Sequence, residues 1–242
     1  MSNQPRILAD HDREFAVRHG IEMDDSRYYQ DETGITKVDG QRWQTAQDVE
    51  RYTWFKLCPD FSDDRSAEHL AAFGGYGAVP SHCGDVLEIG CGPFTQSRSV
   101  LSGRTLQSLT LLDPLLASYL SHPHCTYKNG TLYGTPVNLF ALPAEELPPE
   151  MKLDTIICIN VLEHVRDAGM VIQKAIRALR DGGILILGEK CHDDYHPSLE
   201  FNLAHPLMLK RAFFRQATAR LEPLFMNDAD DNFYLVGKKI LS

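Results

Sequence analysis

Val86-Leu87-Glu88-Ile89-Gly90-Cys91-Gly92-Pro93 decides the fold, because a short apolar run breaks there directly into a glycine turn. A run this apolar suits a strand buried on both faces of a parallel sheet. Four more runs follow: Leu109-Thr110-Leu111-Leu112, Val137-Asn138-Leu139-Phe140-Ala141, Asp154-Thr155-Ile156-Ile157-Cys158-Ile159 and Ile184-Leu185-Ile186-Leu187. Between the last two, Ala168, Val171, Ile172, Ala175, Ile176 and Leu179 fall at i, i+3, i+4, i+7, i+8, i+11. That spacing predicts an amphipathic helix with Asp167 as its N-cap and Gly182-Gly183 as its end. Pro206 predicts the opening of another helix, running to about Thr218. Residues 222–227 and 232–236 flank Asp228-Ala229-Asp230-Asp231 and predict a terminal hairpin. Strands alternating with helices give an α/β doubly wound sheet.

The composition excludes several function classes. The chain has 242 residues, with 24 Lys+Arg against 33 Asp+Glu and a formal net charge of -9. That balance, without any Lys/Arg run, argues against broad nucleic-acid binding, which needs clustered cations to displace counterions. No apolar run reaches the roughly 20 residues of a membrane helix, so no membrane partner is expected. The first residues lead into charge rather than an apolar signal segment. Six cysteines with neither a C-x-x-C pair nor zinc spacing fit a reducing, cytoplasmic location.

Residues 1–80 differ from the rest in being polar, acidic and aromatic-rich. Their clearest element is a helix over 41–57, on which Trp43, Gln47, Glu50 and Trp54 share one face at i, i+4, i+7, i+11. The stripe reads in two ways. The tryptophans pack the helix onto the domain, or the Gln and Glu between them look into a ligand pocket. Phe73-Gly74-Gly75-Tyr76-Gly77 reads as a flexible connection to a main domain over 81–242.

In doubly wound sheets ligands bind beyond the carboxyl ends of the strands, at the switch point. Gly90 and Gly92 lie there, and Asp113 stands at the end of the next strand, twenty-three positions beyond Gly90. A carboxylate in that place can accept from both hydroxyls of a ribose, so turn and acid together point to an adenosine cofactor. Thr95 occupies the third glycine position of a dinucleotide fingerprint, and Pro93 removes an N–H that a pyrophosphate could use. A nicotinamide-dependent oxidoreductase is therefore disfavoured.

Five segments in order resemble class I S-adenosylmethionine-dependent methyltransferases of the small-molecule type. Val86 to Pro93 resembles their first motif, Leu111-Leu112-Asp113-Pro114 their ribose-binding acid, and Leu142-Pro143-Ala144-Glu145-Glu146-Leu147-Pro148 their adenine segment. The stretch from Asp154 to Val165 resembles the fourth motif, and Leu179-Arg180-Asp181-Gly182-Gly183-Ile184-Leu185 the turn into the fifth strand. The resemblance implies a Rossmann-like seven-stranded sheet, mostly parallel with a C-terminal antiparallel hairpin, under an N-terminal helical lid. It also implies S-adenosyl-L-methionine as cofactor, with S-adenosyl-L-homocysteine as product. By position, Gly90, Cys91 and Gly92 would face the methionyl part and Glu88 its amino group. Asp113 would take the ribose, and Leu115, Ala144 and Glu145 would border the adenine. Asn160 would offer its carbonyl to the ammonium. Phe94 departs from the pattern, since many members carry a third glycine there.

Methyl transfer from a sulfonium is an in-line displacement that rests mostly on positioning in a dry site. His164, just past the fourth strand, is the candidate base for a hydroxyl or ammonium nucleophile. His192 and His196, after the fifth strand, are candidates on the acceptor side, in a region that also carries Glu200 and His205. No metal is expected, with His192 and His196 the weak alternative pair. Tyr28, Tyr29, Trp43, Gln47, Glu50 and Trp54 form the candidate lid over the acceptor. The chain thus reads as a methyltransferase acting on O or N of a small polar metabolite, as monomer or homodimer. A catalytically silent, methyltransferase-like partner subunit is the non-enzymatic alternative.

Overall fold

The computed structural model describes residues 4–132, 134–196 and 202–240. The chain opens with α1 (Gln4–His19), β1 (Gly34–Ile35), α2 (Gly40–Tyr52), a π turn over Thr53–Leu57, and α3 (Ser66–Ala72). Then follow β2 (Asp85–Ile89), α4 (Ser97–Val100), β3 (Ser108–Leu112), α5 (Leu116–Tyr119), β4 (Thr131–Leu132) and β5 (Thr135–Phe140). The last part comprises β6 (Leu153–Ile159), α6 (Ala168–Ala178), β7 (Leu179–Lys190), β8 (Met208–Leu209), α7 (Arg211–Ala217), β9 (Leu221–Asn227) and β10 (Asn232–Lys239).

The main sheet runs β4-β5-β3-β2-β6-β7-β10-β9. Its five middle strands, β5, β3, β2, β6 and β7, are parallel, and the β10–β9 hairpin closes one edge antiparallel. The seven expected strands are all present, and β4 adds an antiparallel two-residue strand at the other edge, too short to leave a periodic signal. Period-two alternation sends Leu87 and Ile89 to one face and Val86 to the other, with Ile156 and Cys158 set against Ile157 and Ile159 in the same way. Both faces are therefore buried, which is why the runs read as continuously apolar. Burying each such side chain contributes about 1.5–3 kcal/mol.

One face is covered by α6 through Val171, Ile172 and Ala175 and by α7 through Phe213 and Phe214. The other is covered largely by irregular chain. Only β6 and β7 are joined by a full helix; α4 and α5 have four residues each. Gly103, Pro123 and Gly130 interrupt those stretches, so longer helices cannot propagate.

Three expectations need correction. Pro206 does not open a helix: β8 forms first, pairing with β1, and α7 starts only at Arg211 after Lys210. The glycine stretch 73–77 is not a flexible link, because Phe73 and Tyr76 are buried and stacked at 5.0 Å. Helix α6 stops at Ala178, since Leu179 already takes extended backbone ahead of the glycines. Asp167 caps it as expected, accepting from Met170 N at 2.9 Å.

Residues 25–52 lie over the carboxyl ends of the sheet, and a buried ion pair fastens them there. Arg42 of α2 donates from Nε to Asp25 Oδ1 at 2.9 Å and from Nη2 to Oδ2 at 3.0 Å. Its remaining donors reach the carbonyls of Leu203 at 2.8 Å and Asn202 at 2.6 Å. Asp39 caps α2 by accepting from Arg42 N at 2.9 Å. The β1–β8 bridge and the bond from Val38 N to the Arg166 carbonyl at 3.0 Å complete the attachment. Among the described residues no helix is long and apolar enough to cross a membrane.

Removing one partner of a buried, hydrogen-bonded ion pair strands the other charge, at a cost of about 3–5 kcal/mol. Asp25→Ala is expected to lose stability of that order in urea unfolding, whereas the joint Asp25→Leu, Arg42→Met change loses clearly less. Equal losses would mean that the pair's charge is not what matters.

Candidate functional site

The chain runs from β2 outward to β3 and β5, then returns to β6 and β7 on the other side, so the switch point lies between β2 and β6. The turn after β2 is pulled across the sheet edge, with Gly90 N donating to the Leu112 carbonyl at 2.7 Å. Gly90 has φ +66, and a Cβ there would sit 2.5 Å from Val161 Cγ1. Gly92 has φ +51, but a Cβ there would meet nothing within 4 Å. The first glycine is required by packing, whereas the second leaves bare backbone against open space.

That space is a pocket with more apolar than polar lining, as small-molecule sites have. Gly90, Cys91, Gly92, Asp113, Ala144, Glu145, Asn160 and His164 all line it. Asp113 accepts from Gly92 N at 3.1 Å and Leu115 N at 2.8 Å, one bond per oxygen, which leaves each oxygen a free lone pair. Burial pushes its carboxyl up to about 6. Gln96 also lines the pocket; its Nε2 donates to the Asp64 carbonyl at 2.7 Å, while its buried Oε1 has no partner. A free carboxylate and an orphaned amide oxygen in one apolar-walled pocket suit a ligand with hydroxyl and ammonium donors.

The roof comes from α2 and the π turn. Trp43, Gln47, Glu50 and Trp54 all line the pocket, so the polar pair in the stripe faces this cavity. The tryptophans do both jobs. Trp43 Nε1 and Gln47 Nε2 donate to the His164 carbonyl at 3.1 and 3.0 Å, fixing the loop after β6. Trp54 donates to Glu50 Oε1 and meets Phe94 edge-on at 5.3 Å. The aromatic side chain at position 94, where related turns carry glycine, is thus the floor contact of the roof.

Beside the pocket lies a buried carboxylate ringed by imidazoles. Glu163 Oε2 is 3.1 Å from His192 Nε2, while its Oε1 is 3.7 Å from both His164 Nε2 and His205 Nε2. Burial opposes its charge, but His205, the His192 hydrogen bond and His164 together hold its carboxyl well below the usual range. Glu189 accepts from Val161 N at 3.0 Å and Leu162 N at 3.1 Å, and burial together with the Glu163 charge pushes it up to about 8.

Several expected residues fall elsewhere. Glu88 does not line the pocket; its carboxylate turns under the glycine loop, accepting from Gln96 N at 2.8 Å, Ser97 N at 2.9 Å and the Thr95 and Ser97 hydroxyls. Those donors satisfy it where a ligand ammonium was expected. Leu115 contributes its backbone N–H to Asp113 but does not line the pocket. Glu145 lines it, yet its Oε1 is taken by Arg166 N at 2.6 Å and Asp167 N at 2.9 Å. Tyr28 donates to Asp39 at 2.5 Å, Tyr29 meets Lys210 at 3.2 Å, and neither lines the pocket. His196 lies beside the Tyr29 ring at 6.0 Å, and the one three-ligand group among the described residues does not include it. Glu200 lies outside the described residues. Sequence reasoning missed Gln96, Asp64 and Tyr119, polar groups at the pocket wall that share no spacing with a recognisable motif; His205 was placed on the acceptor-side loop, but its contact with Glu163 has no local signal.

Residues 87–185 match a family described as "Methyltransferase domain". No curated sequence matches the chain. Among solved structures, N-methyltransferase NodS from Bradyrhizobium japonicum WM9, in complex with S-adenosyl-L-homocysteine, superposes with TM-score 0.61 at 14% identity, covering 81% of this chain and 98% of its own. The DhpI complex with the same ligand gives 0.59 at 15%, covering 84% and 99%. The 1,6-didemethyltoxoflavin-N1-methyltransferase of Burkholderia thailandensis gives 0.55 at 18%, covering 88% and 98%. At these identities the likeness is one of fold alone, over nearly the full length of each of those chains.

The two glycines make a differential prediction. Gly90→Ala adds a Val161 clash to a strained φ, whereas Gly92→Ala adds only the strain, about 1–3 kcal/mol. Thermal unfolding is expected to rank Gly90→Ala as the more damaging, with Val161→Ala in the Gly90→Ala background recovering part of the difference.

Proposed function

We propose that this chain, whose central sheet is a class I methyltransferase domain, transfers a methyl group from S-adenosyl-L-methionine to an oxygen or nitrogen of a small polar metabolite. The observation that carries the reading is Asp113: a buried carboxylate at the switch point, with one free lone pair on each oxygen, inside a pocket walled by bare glycine backbone. It would hold the ribose hydroxyls. Ala144, Pro143 and Val165 supply apolar wall for an adenine, and the unpartnered Gln96 Oε1 suits the methionyl ammonium. Glu88 supports the turn rather than the ligand.

The cofactor, when bound, supplies an electrophilic methyl on sulfonium. The chain's own contribution is positioning and the exclusion of water, which α2 provides by roofing the pocket. Residues 1–80 act in this reading as the lid and residues 81–242 as the methyltransferase domain. His164 and Glu50 are the titratable side chains facing the acceptor side of the pocket, 3.8 Å apart from Nδ1 to Oε2. An O–H or N–H acceptor gives up its proton to this pair. The carbonyl of His164 is held by Trp43 and Gln47, so lid closure and the placing of that imidazole are one event. Two of the similar structures are N-methyltransferases by name, which supports nitrogen as a target alongside oxygen. The chain's negative charge supports a small acceptor over a nucleic acid.

Calorimetric titration with S-adenosyl-L-homocysteine tests the reading. Asp113→Ala is expected to weaken binding by about 1.5–3 kcal/mol. The pH dependence has a definite sign. Burial raises the Asp113 carboxyl to about 6, and only the ionised form accepts from two hydroxyls. Affinity therefore rises as pH climbs through that value and falls up to about tenfold by pH 5. Asp113→Asn removes the dependence. No binding by the wild type between pH 7 and 8 would sink the assignment.

A further inference from the structure

We propose a divalent metal site beside the pocket, made by Glu163 Oε1, His164 Nε2 and His205 Nε2, with His192 as the residue that positions the carboxylate. The role given to the ion rests on the methyl-transfer reading, whereas its binding does not.

The three donor atoms come from separate segments at the carboxyl ends of β6 and β7 and the approach to β8, and all lie within 4.8 Å of one another. Glu163 has a side chain only 6% exposed. His192 Nε2 occupies Oε2 at 3.1 Å, leaving Oε1 to the other two imidazoles. Both approach Oε1 at 3.7 Å, too long for a hydrogen bond and too regular for a repulsive gap. A cation about 2.1 Å from each N and O ligand spaces neighbouring donors about 3.0–3.4 Å apart, so the two Glu163 contacts need to shorten by only a few tenths of an ångström while the imidazole nitrogens close in from within 4.8 Å of each other.

A plain ion pair accounts less well for this arrangement. It needs one histidine, and His192 already supplies the hydrogen bond. Two further rings aimed at the same oxygen serve no hydrogen-bonding purpose. The two rings meet edge to face, with centroids 4.6 Å apart. The surrounding bonds hold the ligands in place. Leu207 N donates to the Glu163 carbonyl at 3.2 Å, and His192 N to the Leu209 carbonyl at 2.8 Å. Asn202 brackets His205, its Oδ1 accepting from His205 N at 3.1 Å and its amide nitrogen lying 3.0 Å from Nδ1.

Two imidazoles and one carboxylate select a first-row transition ion, such as Zn²⁺ or Mn²⁺, over Mg²⁺. Three protein ligands leave coordination positions open. Because His164 both ligates and lines the pocket, an acceptor hydroxyl or amine can take one of them and be acidified and oriented there. In the loaded site His164 is a ligand, and the acceptor's proton passes to Glu50.

The full chain, stripped by chelator and dialysis, is titrated with Zn²⁺ and Mn²⁺ by calorimetry, with elemental analysis of the product. One ion per chain is expected. His205→Gln and Glu163→Gln weaken binding by about tenfold or more, while His124→Gln, an exposed histidine outside the cluster, leaves it unchanged. Co²⁺ loading of the wild type adds a readout that needs no variant, the visible absorption of an N/O-ligated ion. Failure of the wild type to take up either ion, or affinity indifferent to both cluster substitutions, overturns the site. S-adenosyl-L-homocysteine is titrated into the same metal-free protein. Its binding without any ion uptake defeats the metal and spares the methyltransferase reading; ion uptake without its binding does the reverse.

Discussion

The guanidinium of Arg42 is the constraint on which the site depends. A doubly wound sheet offers a crevice at its switch point, but a crevice alone is open to water. Here the cover is a helix with no apolar run of its own, so the few side chains it packs, Trp43, Ala46 and Val49, hold it less firmly than α6 is held. It is held by directed bonds. One buried side chain ties α2 to Asp25 on one side and to the carbonyls of 202 and 203 on the other. Those carbonyls belong to the segment that also carries His205. The roof of the pocket and the third imidazole around Glu163 are therefore located by the same cation.

The placing of the remaining groups follows from the strands. Residues that end β2, β3 and β6 meet at the switch point because parallel register puts Ile89 beside Leu112 and Cys158. Asp113 and Asn160 then stand one residue past their strands, on either side of the glycine turn. The backbone takes up the remaining demands, through Gly90 against Val161 and through Asn160 at φ +59. Catalytic power in such a site comes from a fixed geometry more than from reactive side chains, and most of the polar groups around the pocket are already spoken for by backbone.

The sequence made the sheet legible because strands buried on both faces announce themselves as unbroken apolar runs, and the tryptophan stripe was legible because helical spacing is periodic. Gly90, Gly92 and Asp113 were readable together, as a turn and an acid at a fixed separation. Glu88 was not, because nothing in the strand says that Thr95 and Ser97 fold back to satisfy it. The Glu163 cluster was legible only in part. His164 and His192 stood out beside their strands, but the contact with His205 spans forty-two positions and has no local pattern. His196 was attractive for its spacing from His192, yet spacing counts only on a continuing helix, and none forms there. Helix α7 started late because β1 claimed Met208 and Leu209 first, a tertiary pairing that overrides the local proline signal.

The stripe that roofs the pocket has an optical consequence. Trp43 and Trp54 are the chain's only two tryptophans, and both border the same cavity. One indole is hydrogen-bonded to the loop behind the switch point; the other rests on Phe94 and on a carboxylate. No third indole elsewhere dilutes their light. Excited beyond the reach of the chain's nine tyrosines, the indole emission of this protein is thus a property of that cavity alone, and whatever enters, leaves or changes charge there writes itself into the colour and intensity of that emission.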